Sequence, residues 1–177
     1  IFSCGIEAVC TVWGSTFFVE AKNVAPESAA RVSILFYAGL TLGRLLSGIL
    51  VEKFEAWKLI WSSSFIILIA IIGMALPLPI GVSAVALFFI GLGVGPLFPN
   101  LTHLTPKNFG KEISLSVMGL QSTFSYIGIM MLPPLFGILA DRCSTVTFPY
   151  YLFVLFLLYM ISIVMLVRWL KKQGRYQ

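Results

Sequence analysis

Residues 58–107 read KLIWSSSFIILIAIIGMALPLPIGVSAVALFFIGLGVGPLFPNLTHLTPK, and between the two terminal lysines about 48 residues pass without a charged side chain. The run is broken only by Pro77-Leu78-Pro79 and Gly81. A bilayer's hydrocarbon core takes about 20 apolar residues as a helix, so the stretch is two membrane spans and a tight turn. A soluble domain of this size cannot bury two such helices on every face. The lipid bilayer is therefore the chain's first partner, and function has to be read from the few polar residues kept inside it.

Working outward from that stretch, apolar runs bounded by charges and turn residues give six spans, at about 1–19, 30–51, 58–76, 81–103, 113–139 and 147–168. Asn23-Val24-Ala25-Pro26, with Ser28 as a candidate helix cap, and Pro106-Lys107-Asn108-Phe109-Gly110 punctuate the connections. The composition agrees: 59% hydrophobic and 11% charged, against a soluble average of about a quarter charged. The formal net charge of +5 resides in short loops. Topology and anionic lipid account for it, and no nucleic-acid partner is expected.

Six spans put both ends of the segment on one side. Lys53, Lys58, Lys107, Lys111, Arg168, Lys171, Lys172 and Arg175 fall on that side, and Lys22, Arg31 and Arg142 on the other. The positive-inside rule then predicts a multi-pass protein of the cell membrane with both termini of this segment cytoplasmic. Trp57, Trp61, Tyr150, Tyr151 and Trp169 fit an interfacial aromatic belt. Ile1 is not a Met, no basic region precedes the apolar residues and no small-residue cleavage site follows, so this is no signal peptide. The segment is expected to be the C-terminal part of something longer. Cys4, Cys10 and Cys143 form no metal-ligand pattern with His103, so neither a metal nor a cofactor is expected.

Charges inside a span cost about 2.5–3.5 kcal/mol each and need a reason. Glu7 lies about 9 Å along its helix from Ile1, and Arg44 about 12 Å before Glu52, so both fall at a similar depth on antiparallel neighbours. An ion pair would relieve both. The alternative is that Arg44 snorkels to the surface while Glu7 is protonated. Ser114, Gln121, Ser125 and Gly128 recur on one face of the fifth span, with Gln121 about 12 Å from its cytoplasmic end. Thr11, one turn beyond Glu7, and Asn100 could join the same layer. Glu7, Thr11, Arg44, Asn100, Gln121 and Ser125 are thus the candidate polar cavity, although Ser and Gln side chains also simply join helices.

Two glycine patterns read structurally. Gly39, Gly43 and Ser47 repeat every four residues, a small-residue seam for close helix contact. Gly91-x-Gly93-x-Gly95-Pro96 lacks the strand and the ribose-binding acid of a dinucleotide loop and predicts a bent helix instead.

After the second span, Gly48-Ile49-Leu50-Val51-Glu52-Lys53-Phe54 resembles the opening of the major facilitator superfamily signature between the second and third helices of each half. The later basic part of that signature reads Glu55-Ala56-Trp57 here. Gly93-Val94-Gly95-Pro96-Leu97-Phe98-Pro99 and Pro133-Pro134-Leu135-Phe136-Gly137 look like that superfamily too. Gly5-Ile6-Glu7 with Trp13, and Gly39-Leu40-Thr41-Leu42-Gly43-Arg44, resemble the fucose-permease-like sugar transporters. The resemblance implies an all-α membrane protein, residues 1–177 forming the C-terminal six-helix half of a rocker-switch transporter as two inverted three-helix repeats. It implies alternating access for a small solute such as a sugar, by symport, with Gly48, Leu50, Glu52 and Lys53 as the conformational gating motif. The N-terminal six-helix half, in the same longer chain or as a separate subunit, is the implied partner.

Other classes compete. An efflux-type antiporter of the same superfamily and a six-helix structural or interaction protein are the alternatives. An intramembrane protease would use Gly81-Val82-Ser83 and His103, but these share one predicted helix about 30 Å apart, where a nucleophile and its base must come within about 3 Å. No enzyme is expected.

Overall fold

The computed structural model describes residues 1–174, without the Lys111 side chain; Arg175, counted above among the basic residues, lies outside the described residues. Among the described residues, six helical segments are long and apolar enough to cross a membrane. They are α1 (Phe2–Glu20), α2 (Pro26–Leu50), α3 (Ala56–Ala75), a fourth span split into α4 (Ile80–Val94) and α5 (Leu97–Phe109), α6 (Lys111–Cys143) and α7 (Phe148–Lys172). A short 3-10 turn, Thr145–Thr147, joins the last two.

Local chemistry sets the ends. α2 starts at Pro26, whose missing N–H costs nothing in the first turn; Ala25 is the N-cap, so Ser28 is not the cap that the sequence suggested. Gly110 at φ 83° turns the chain sharply between α5 and α6, a conformation that favours glycine. α6 runs four residues past its expected end, and Pro133 and Pro134 lie within it without stopping it. Two donors from neighbouring helices serve that region: the Trp13 indole donates to the Pro133 carbonyl at 3.0 Å, and the Tyr151 hydroxyl to the Leu132 carbonyl at 2.9 Å. Around them Trp13, Phe17, Phe136, Phe148 and Tyr151 form an aromatic cluster with centroid separations of 5.1–5.5 Å. It closes the loop end of α1, α6 and α7.

Helix contacts follow a twofold rule. α1 packs on α6 as α2 packs on α4, α3 meets α4 as α7 meets α1, and α1–α2 is matched by α5–α6. Exchanging α1-α2-α3 for the α4/α5 span, α6 and α7 maps each of these contacts onto its counterpart, as expected of two three-helix repeats. An odd number of spans per repeat makes their topologies opposite.

Both cross-repeat pairs close on glycines. A Cβ at Gly39 or Gly43 of α2 would collide with the carbonyl of Phe88 or Leu92, and one at Gly91 with the carbonyl of Phe36. On the matching α1–α6 contact, Gly5 faces Leu132 and Gly128 faces the backbone of Ile1. Lipid supplies no hydrophobic drive to join helices, so backbone proximity of this kind holds them.

The fourth span breaks at Gly95-Pro96, where the sequence predicted a bend. Pro96 has no N–H for the Leu92 carbonyl, and Pro99 none for that of Gly95. Asn100 fastens the break: its amide donates to the Pro96 carbonyl at 2.8 Å and to Ser47 Oγ on α2 at 2.7 Å.

Candidate functional site

Glu7 sits in the second turn of α1 and Arg44 six residues before the end of α2. Arg44 Nη2 donates to Glu7 Oε1 at 2.8 Å. What brings Arg44 there is the glycine seam beneath it: a Cβ at Gly95 would lie 2.7 Å from the Leu40 carbonyl oxygen and 3.1 Å from the Arg44 amide nitrogen. Arg44 therefore rides directly on the break in the fourth span. The side chains of Arg44 and Glu7 remain 52% and 28% exposed, so the pair is a wall of an open space and not part of a closed core.

That space is a cavity of about 470 Å³ between α1, α2, α5 and α6. Its polar wall is Glu7, Thr11, Arg44, Ser122, Ser125 and Tyr126. Cys4, Ala8, Val12, Phe98, Pro99 and Ile129 make the apolar remainder. The guanidinium has five N–H donors, and the carboxylate two oxygens, so the pair keeps capacity for a ligand after satisfying itself. The Ser125 hydroxyl donates to the Gln121 carbonyl at 2.9 Å, leaving its lone pairs toward the cavity. An arrangement of one paired charge, several hydroxyls and an apolar floor suits a small polar solute with both carbon and oxygen surface.

Two of the six candidates lie elsewhere. Asn100 is buried and turned toward α2, because the carbonyl of Pro96 and the hydroxyl of Ser47 claim its amide. Gln121 lies ten residues into α6, about 15 Å from its start and about half a turn further in than expected, since the helix begins earlier. Its side chain faces α5, 3.4 Å from the hydroxyls of both Thr102 and Thr105, and lines a second cavity. The single polar layer expected from depth is thus divided by the α1–α6 contact. Cys4, Ser122 and Tyr126 were missed. Cys4, Glu7, Ala8 and Thr11 follow the helical spacing of one face, so Glu7's own stripe could have located Cys4.

Gly48 and Leu50 end α2, and Glu52 and Lys53 are exposed in the turn that follows. The ion pair formed in that loop is Glu55–Lys58, at 3.4 Å. His103 is exposed on α5, while Ser83 is buried in α4 on the other side of the break.

Residues 1–133 match the family model described as Major Facilitator Superfamily. "Bypass of stop codon protein 6" of Saccharomyces cerevisiae is 22% identical over 97% of this chain and 37% of its own length. A Helicobacter pylori (strain J99) protein named "Putative glucose/galactose transporter" is 27% identical over 72% of this chain and 30% of its own. Its counterpart in strain 26695 is 26% identical over the same shares. The chain thus spans about a third of the length of these curated relatives. With the family model covering most of the sequence and six spans in two matching repeats, the chain belongs to the major facilitator superfamily of membrane transporters, as one half of that fold.

Proposed function

We propose that this chain is the C-terminal half of a secondary transporter that carries a small polar solute, a sugar or a related metabolite, by alternating access. The observation that carries the reading is the cavity built on the Glu7–Arg44 pair, the open charged site among the described spans. Glu7, Thr11, Arg44 and Ser125 act as substrate contacts, with Ser122 and Tyr126 beside them. Similarity to proteins named for glucose and galactose transport supports a polyhydroxylated substrate. In this reading an N-terminal six-helix half completes the cavity, and the loops' basic residues support a cytoplasmic location for the termini of this segment.

Cys4 offers the test, since it lines the cavity at 9% exposure, while Cys10, at 3%, and the exposed Cys143 lie outside it. In the full-length protein carrying Cys143→Ser, a small methanethiosulfonate is expected to label Cys4. A transported hexose should slow that labelling, and a non-transported solute of equal size should not. Labelling that no sugar slows, in protein that still transports one, would remove the cavity from the reading.

The gating motif yields a second expectation. Glu52 stands at the C-terminal end of α2 beside Lys53, where charge pairing with a facing element would steady one conformation. Glu52→Ala should slow conformational exchange in reconstituted protein, measured by counterflow, and leave substrate affinity unchanged. Lost affinity at unchanged exchange rate would contradict it.

A further inference from the structure

The glycine contacts set a register between the two repeats. A Cβ at Gly39 would meet the Phe88 carbonyl, and one at Gly128 the Ile1 carbonyl. Four residues further along each helix, Gly43 lies against Leu92 and Gly5 against Leu132, with the small residue and the leucine exchanged between helices. On the same count Ser47 matches Phe136, and Asn100 matches Trp13. Both of these pairs are also in contact. The Asn100 amide donates to Ser47 Oγ at 2.7 Å, and the Trp13 and Phe136 rings meet edge to face at 5.3 Å. Each of the two matched donors reaches a proline carbonyl as well: Asn100 that of Pro96 at 2.8 Å, Trp13 that of Pro133 at 3.0 Å.

Asn100, Ser47 and Phe136 are buried, so these contacts are internal to the bundle. Each joins a cavity-lining helix to its neighbour from the other repeat, α5 to α2 and α1 to α6. They sit at opposite ends. Ser47 lies three residues before the end of α2, toward the face that carries Lys53. Trp13 and Phe136 lie beside Phe148, the first residue of α7, toward the face that carries Lys22. Neither Asn100 nor Trp13 is part of the cavity wall. Inverted repeats exchange roles between the two access states, so a contact present in both repeats acts once at each face.

We propose, on the basis of the transport reading above, that Asn100 and Trp13 are paired positioning residues: each fastens one end of a cavity helix, and the balance between them sets the face to which the Glu7–Arg44 cavity opens. The Asn100 tie keeps α5 on α2 at the Lys53 face, and the Trp13 tie keeps α1 on α6 at the Lys22 face. Loosening either lets its own end part and admits water there. One or two hydrogen bonds at each end are enough to bias the equilibrium and too few to freeze it.

The test reads the sidedness of the cavity in the full-length protein. Thr11, an exposed residue of the cavity wall, supplies the probe as Thr11→Cys, with Cys4→Ser, Cys143→Ser and no other accessible cysteine. An impermeant methanethiosulfonate added to one side or the other of sealed vesicles gives two labelling rates and their ratio. Asn100→Leu, which keeps the volume and loses the donors, should favour labelling from the Lys53 face by about fivefold, the worth of one hydrogen bond. Ser47→Ala, a smaller change that leaves the glycine seam in place, should shift the ratio the same way. Trp13→Phe, which keeps a ring against Phe136 and loses the N–H, should shift it about fivefold toward the Lys22 face. Ser47→Ala combined with Trp13→Phe should bring the ratio back near that of the parent, which two packing defects would not do. Shifts toward the same face at both ends, or a ratio unmoved by Ser47→Ala and Trp13→Phe in protein of parental melting temperature, would overturn the pairing. Labelling does not depend on transport. Opposite shifts in protein that carries no sugar would keep the two ties and sink the solute reading, and an unmoved ratio in protein that carries one would sink the ties alone.

Discussion

Gly43→Leu is expected to be the most damaging single substitution in this half, lowering stability by about 3 kcal/mol or more, at the top of the range for overpacking. A Cβ at Gly43 meets the Leu92 carbonyl, and that atom belongs to a backbone that cannot step aside as a side chain would. The same carbonyl is the one that Pro96 leaves without its helical donor, so the collision falls on the break that carries Arg44. α2 and α4 would have to separate, and the Glu7–Arg44 geometry would be lost with them. Gly73→Leu is the control: nothing lies within 4 Å of a Cβ there, and leucine improves helix propensity by up to about 1 kcal/mol. Thermal unfolding of the full-length protein in detergent would show a large drop for the first and none for the second. Equal effects would mean that the glycine seam does not hold the repeats together.

Breaking the ion pair should produce the largest functional effect. Glu7→Gln removes the charge that the Arg44 guanidinium faces at 2.8 Å, and transport is expected to fall by about tenfold or more, the worth of one charge-assisted hydrogen bond. The stability effect should be smaller. With Arg44 half exposed, the coupling energy lies between that of a surface pair and a buried one, at about 1–2 kcal/mol. Glu7→Gln combined with Arg44→Gln should recover much of the stability lost in either single variant, because neither charge is then stranded. Transport should stay low in the double variant if the pair contacts substrate. Additive stability losses would exclude coupling, and wild-type transport by Glu7→Gln would remove Glu7 from the site.

The number of spans, the interruption at Gly95-Pro96, the close approach along Gly39 and Gly43, and the common depth of Glu7 and Arg44 could be read from the sequence alone. Each depends on a property local to one helix: apolar length against bilayer thickness, a proline without an N–H, a missing Cβ, or rise per residue. Whether two groups at one depth face each other is a different quantity, since it depends on how each helix is rotated about its axis. Only packing against neighbours sets that rotation. Arg44 is turned to Glu7 because Gly95 admits α2 to the break, whereas Gln121, near the same depth, is turned to Thr102 and Thr105 on α5. Asn100 is drawn away from the cavity by the Pro96 carbonyl one turn back and by Ser47 on α2, the second a contact between two helices that no single stretch contains. Sequence determined how deep each polar residue lies in the membrane, because the bilayer acts on every helix separately. The tertiary structure decided which of them share a cavity, because that follows from contacts between helices distant in the chain.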